Sequence, residues 1–82
     1  MTTIDLYTTP TCGYCKALKA FLKEHNTPYN EYDVTTDEKA LNEMQALGGG
    51  SSVPFIVFNK GQADQSVQTG FDAAQVSAVL NF

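Results

Sequence analysis

Cys12-Gly13-Tyr14-Cys15 is the stretch that most narrows what this chain can fold into. The two cysteines, the only ones among 82 residues, stand three positions apart where a strand-like run ends and a helix-like run begins. A helix N-terminus gathers unpaired N–H groups and a partial positive charge. That field stabilises a thiolate and lowers a thiol's pKa from its ordinary value of about 8.5. The second cysteine, one helical turn on, is placed to close a disulfide with the first. A C-x-x-C beside a βαβ pattern therefore reads as a redox centre, with electrons exchanged through Cys12 and Cys15.

The rest of the chain reads as β-α-β-α-β-β-α. Thr3 to Thr8 is rich in β-branched and aromatic residues and reads as a strand. Thr9-Pro10-Thr11 breaks it, with Thr11 expected to cap a helix over 12–25 whose apolar stripe is Cys15, Ala17, Leu18, Phe21 and Leu22. Asn26-Thr27-Pro28 ends that helix, and Tyr29 to Val34 reads as a second strand. Asp37 to Leu47 forms a second amphipathic helix packed through Leu41, Met44 and Leu47. Gly48-Gly49-Gly50-Ser51-Ser52 then reads as a flexible loop. Phe55 to Phe58 is apolar on both faces, as a central strand requires. A turn at Asn59-Lys60-Gly61 precedes a weak strand at Ser66 to Thr69. Asp72 is then expected to cap a last helix with Val76, Val79 and Leu80 inward. The first two strands, joined through a helix, should be parallel, and the last two antiparallel. A four-stranded mixed sheet flanked by three helices satisfies that order, in one domain spanning 1–82.

Composition bounds the chemistry. Nine acids face five lysines and no arginine, for a formal charge of −4, which disfavours nucleic acid as a partner. No apolar run is long enough to span a membrane. Residues 1–6 show no basic-then-apolar export pattern, so a reducing cytoplasmic setting is the expectation. Lys16, Lys19 and Lys23 share one helical face beside the cysteines. They read either as an ordinary solvated face or as a basic patch for anionic thiols or an acidic partner.

Competing readings of the cysteines are few. A zinc site wants four ligands, and His25, at the far end of the helix, lies about 15 Å from Cys15 at 1.5 Å rise per residue. Asp5 reads as a solvated residue near the strand's start, with a buried carboxylate behind Cys15 as the minority reading. The triple glycine lacks the lysine and hydroxyl spacing of a phosphate loop.

With those residues in place, the chain resembles the glutaredoxins, a branch of the thioredoxin-like fold. Three stretches carry the resemblance in family order: Tyr7-Thr8-Thr9-Pro10-Thr11-Cys12-Gly13-Tyr14-Cys15, Ser52-Val53-Pro54 and Thr69-Gly70-Phe71-Asp72. The resemblance implies that Cys12 is the exposed nucleophile of a dithiol centre and Cys15 the resolving thiol. It implies that Pro54 is a cis-proline, and that the backbone of Val53 pairs with bound peptide or glutathione. Tyr14 would line the glutathione groove, while Gly70, Phe71 and Asp72 would hold its γ-glutamyl end. The implied activity is thiol–disulfide exchange on protein disulfides and glutathione mixed disulfides, by a monomer with no tightly bound cofactor and glutathione as co-substrate.

Two departures from the family pattern open alternatives. Thr9 stands where a lysine or arginine usually precedes the first cysteine by three positions. Thr69-Gly70-Phe71 is closer to redoxins that serve ribonucleotide reductase and are recharged by thioredoxin reductase. In addition, Gly13 replaces a common proline, and some relatives of that kind bind a [2Fe–2S] cluster through Cys12 of two chains and two glutathiones, the one metal role left open.

Overall fold

A computed structural model describes residues 3–50 and 53–80. Its elements run β1 (Ile4–Thr8), α1 (Gly13–Glu24), β2 (Asn30–Asp33), α2 (Glu38–Ala46), β3 (Phe55–Phe58), β4 (Ser66–Thr69) and α3 (Ala73–Leu80). The sheet order is β2-β1-β3-β4. β1 and β2 are parallel, and β3 is antiparallel to both β1 and β4. This is the expected thioredoxin-like arrangement, a four-stranded mixed sheet with three helices.

Alternation along the central strands builds two apolar layers, because successive side chains point to opposite faces. Ile4, Leu6, Ile56 and Phe58 meet Leu18, Leu22 and Val76 on the face covered by α1 and α3. Tyr7, Phe55 and Val57 meet Val34, Ala40 and Met44 on the face covered by α2. β1 and β3 are therefore buried throughout, while Asn30 and Glu31 of β2 and most of β4 are exposed.

The helices are unequally anchored. α1 buries Cys15, Leu18 and Leu22, whereas α3 buries only Val76. Each large aliphatic side chain taken out of water contributes about 1.5–3 kcal/mol, so α1 is much the more firmly held. Val79, expected inward, is 36% exposed, and Leu80 is only half-buried. Ala17, expected in the stripe of α1, is exposed. It lies about 200° around the helix from Cys15, away from the sheet.

Two expectations about loops and polar groups also change. The triple-glycine loop is packed at its centre: Gly49 is buried, and a Cβ there would come within 2.8 Å of Met44 Cγ and the Phe55 ring. Ser51 and Ser52 lie outside the described residues. Asp5 is buried, 6% exposed, rather than solvated. Its Oδ1 accepts from Asn30 Nδ2 at 3.1 Å and from the Tyr32 hydroxyl at 3.4 Å. It sits on the α2 face with Tyr7, so it is not behind Cys15, which faces the opposite layer.

Candidate functional site

The topology brings three separate stretches to one end of the sheet. β1 ends at Thr8 and leads into the loop carrying Cys12. Because β3 runs antiparallel to β1 with Tyr7 opposite Phe55, Val53 and Pro54 enter the sheet at that same end. β4 leaves there too, with Thr69 opposite Phe55 and Gly70 next in the chain. The Val53–Pro54 peptide is cis, as the resemblance implied. Pro54 is buried, and its carbonyl accepts the Gly70 N–H at 2.7 Å. Gly70 itself has φ +82°, a backbone region that a side chain disfavours, which explains glycine at this turn.

Cys12 and Cys15 form a disulfide with Cα atoms 5.2 Å apart. Cys12, not Thr11, caps α1: the Cys15 backbone N–H donates to Cys12 Sγ at 3.0 Å. The Cys12 N–H in turn donates to the Thr9 carbonyl at 3.3 Å, which closes the turn between strand and helix. The two sulfurs differ in access. Cys15 is 1% exposed and belongs to the buried stripe of α1, while Cys12 is half-buried at the helix tip. An N–H aimed at Sγ at the positive end of a helix favours a thiolate on Cys12 once the pair is reduced.

Around the pair, Tyr14 stands 71% exposed. Phe71 is half-buried against the α1–α3 layer, its ring 5.6 Å from Phe21. Asp72 caps α3, its Oδ1 accepting from Ala74 N–H at 3.0 Å and Gln75 N–H at 3.4 Å. Val53, Pro54, Gly70, Phe71 and Asp72 therefore follow one another across the end of the sheet that also carries Cys12.

On the β2 side lies a cleft of about 270 Å³. Thr8, Thr9 and Pro10 line it from the loop, Lys16 and Lys19 from α1, and Glu31 and Asp33 from β2. Lys19 pairs with Glu31 at 2.9 Å, and the buried Thr8 hydroxyl donates to the same carboxylate oxygen at 2.9 Å. The Lys19 ammonium, then the Thr8 hydroxyl, hold the Glu31 carboxyl below its ordinary pKa of 4.5. Of the three lysines on the basic face, only Lys16 and Lys19 reach this cleft. Lys23 lines another with Asn26 and Tyr29.

A second polar cluster, on the α2 face, was not legible in the sequence. The buried Tyr7 hydroxyl donates to Glu43 Oε2 at 3.1 Å and accepts from Lys60 Nζ at 3.0 Å, while Lys60 also pairs with Glu43. Tyr32 stacks on Tyr7 with ring centroids 5.3 Å apart. Burial pushes the Tyr7 phenol above its ordinary pKa. The long β3–β4 connection is thus tied to the sheet through Lys60. Among the described residues no group of three His, Cys, Asp or Glu side chains is placed to hold a metal ion, and no helix is long and apolar enough to cross a membrane.

Comparison with known proteins agrees with this geometry. A sequence model of the glutaredoxin family matches residues 4–62. An uncharacterised glutaredoxin-like protein from the rubredoxin operon of Clostridium pasteurianum is 34% identical, covering 94% of this chain and 96% of its own. A putative glutaredoxin of Mycobacterium tuberculosis is 35% identical, over 94% of this chain and 88% of its own. Among solved structures, a thioredoxin-like protein superposes with a TM-score of 0.80 at 32% identity, over 94% of this chain and 99% of that one. The glutaredoxin of Archaeoglobus fulgidus shares the fold, with a TM-score of 0.80 at 18% identity, over 100% of this chain and 89% of that one.

Proposed function

This chain belongs to the glutaredoxin family, and we propose that it is a glutathione-dependent thiol–disulfide oxidoreductase working through Cys12 and Cys15. The observation that carries the reading is the unequal placement of the two sulfurs: Cys12 at the helix tip, receiving the Cys15 N–H, and Cys15 in the core. An accessible, stabilised thiolate beside a sheltered partner is what two-step exchange requires.

The Cys12 thiolate attacks one sulfur of a substrate disulfide. The new Sγ–S bond forms as the old S–S bond breaks, and the departing thiolate takes a proton from solvent. Cys15, losing its own proton, then attacks Cys12 Sγ and expels the second substrate thiolate. Two electrons have passed to the substrate, and the chain holds the Cys12–Cys15 disulfide. Two glutathione molecules restore the dithiol, the first forming a mixed disulfide on Cys12 and the second leaving as half of oxidised glutathione. A glutathione mixed disulfide as substrate needs only Cys12, with free glutathione completing the cycle.

Substrate backbone would run along Val53, beside the Cys12 loop, with Tyr14 over one side of the groove and Gly70, Phe71 and Asp72 beyond Pro54. A [2Fe–2S] cluster shared by two chains and two glutathiones would take one thiolate from each chain, and Cys12, the accessible thiol of the pair, would supply it; no step of the exchange is routed through a cluster. The second reading is a redoxin recharged by thioredoxin reductase, serving a partner such as ribonucleotide reductase. Thr9 favours it, because it brings no cation to the edge of the loop.

The test follows NADPH consumption with a small mixed disulfide, recharging the protein by glutathione with glutathione reductase or by thioredoxin reductase alone. Turnover in the first arm is expected. Turnover in the second arm only would move the protein to the redoxin class.

A further inference from the structure

We propose that Lys16 reads the carboxylate of a small thiol or disulfide bound in the cleft between α1 and β2, an inference that rests on the exchange chemistry above. The cleft is built from the loop that carries Cys12. Thr9 lines it and accepts the Cys12 N–H, and the Lys16 N–H donates to the Cys12 carbonyl at 3.3 Å, one helical turn on. Cys12 itself does not line the cleft, so an acid group two or three bonds from a reacting sulfur would reach past the Thr9 turn into it while the sulfur meets Cys12.

Elimination among the cations singles out Lys16. The chain carries five lysines, no arginine and a formal charge of −4, so an anionic ligand is repelled overall and needs a local cation. Lys19 is neutralised by Glu31 at 2.9 Å. Lys60 is held by Tyr7 and Glu43, and Lys39 lines a separate cleft with Glu43 on the α2 face. Lys23 lies two turns further along α1, in another cleft. Lys16 is exposed, faces the cleft, and enters no ion pair among the described residues. The acidic wall opposite is already engaged: Glu31 by Lys19 and Thr8, and Asp33 Oδ1 by the Thr35 N–H at 2.9 Å and the Thr35 hydroxyl. Among the described residues Lys16 is thus the one cation of this cleft outside an ion pair, while Asp33 on the opposite wall, held by neutral donors, keeps its negative charge.

The reduced full-length chain is reacted with two disulfides of similar size, the anionic dithiodipropionate and the neutral hydroxyethyl disulfide. The readout is the ratio of their rate constants at low salt. Removing a cation near Cys12 also changes its nucleophilicity, but that affects both disulfides and cancels in the ratio. Lys16→Gln is expected to lower the anionic-to-neutral ratio about fivefold, roughly the worth of one unit-charge pair at about 4 Å in water. Lys23→Gln should leave the ratio unchanged. Adding Thr9→Lys to Lys16→Gln should restore it, because position 9 lines the same cleft. An unchanged ratio in Lys16→Gln, or an equal fall in Lys23→Gln, would overturn the proposal while leaving the exchange chemistry standing. A wild-type chain that neither disulfide oxidises would overturn that chemistry, and the proposal with it.

Discussion

Tyr7 and Lys60, 53 residues apart in sequence, meet through a 3.0 Å hydrogen bond from the lysine ammonium to the phenol oxygen. Glu43 completes the contact by accepting from both. Strand β1, helix α2 and the β3–β4 connection are joined at this one point. Tyr7→Phe keeps the buried ring and removes the hydroxyl, so it should destabilise the chain by about 1 kcal/mol in urea unfolding.

The same cluster gives a pH dependence with a definite sign. Lys60 first, then Tyr7, lower the Glu43 pKa from 4.5, so Glu43 adds stability above that pH and loses it on acidification. Lys60 is raised above 10.5, chiefly by Glu43, so its share persists below 10.5 and is lost as pH climbs higher. The gap in urea midpoint between wild type and Lys60→Gln should therefore be widest from about pH 5 to 10 and narrow on both sides. A gap that widened below pH 4 would contradict this pairing.

Gly49 and Gly13 should respond oppositely to alanine. At Gly49 the new methyl meets Met44 and Phe55 at 2.8 Å, so Gly49→Ala should cost about 1–3 kcal/mol. At Gly13 nothing lies within 4 Å of the new Cβ and the residue opens α1, so Gly13→Ala should be neutral or stabilising by up to about 1 kcal/mol. Thermal midpoints of the two variants, measured side by side, check this.

The two thiols should label unequally. Brief iodoacetamide treatment of the reduced protein, read by mass spectrometry, should modify Cys12 and spare Cys15, which is 1% exposed. The rate should reach half its maximum below pH 8.5, the ordinary thiol value of about 8.5 being lowered by the helix N-terminus and the Cys15 N–H. Equal labelling, or a midpoint at or above the ordinary value, would remove the basis for assigning the nucleophile.

What could be read from the sequence was what neighbouring residues decide. The strand at Phe55 to Phe58 and the two amphipathic helices announce themselves by local pattern, and the cysteine spacing fixes where α1 begins. The Asp72 cap is equally local, and the structure has it as expected. The burial of Asp5 is not local information: its partners Asn30 and Tyr32 arrive from another strand, and a carboxylate alone in a sequence reads as solvated. The Tyr7–Glu43–Lys60 cluster is likewise assembled from three distant segments, so no local pattern marks it. Thr11 looked like the cap because hydroxyls usually fill that role, yet the Cys12 sulfur accepts the N–H instead. Gly49 reads as slack within a glycine run, although only a residue without a side chain fits between Met44 and Phe55. Pro54 came from the family resemblance, since no local rule marks a cis bond there.

The most direct test of the division of labour between the cysteines compares Cys12→Ser and Cys15→Ser on two substrates, a glutathione mixed disulfide and a protein disulfide, with glutathione as reductant. Cys15→Ser should retain activity on the glutathione adduct and lose it on the protein disulfide, while Cys12→Ser loses both. A Cys15→Ser protein inactive on the adduct, beside an active Cys12→Ser, would contradict the account.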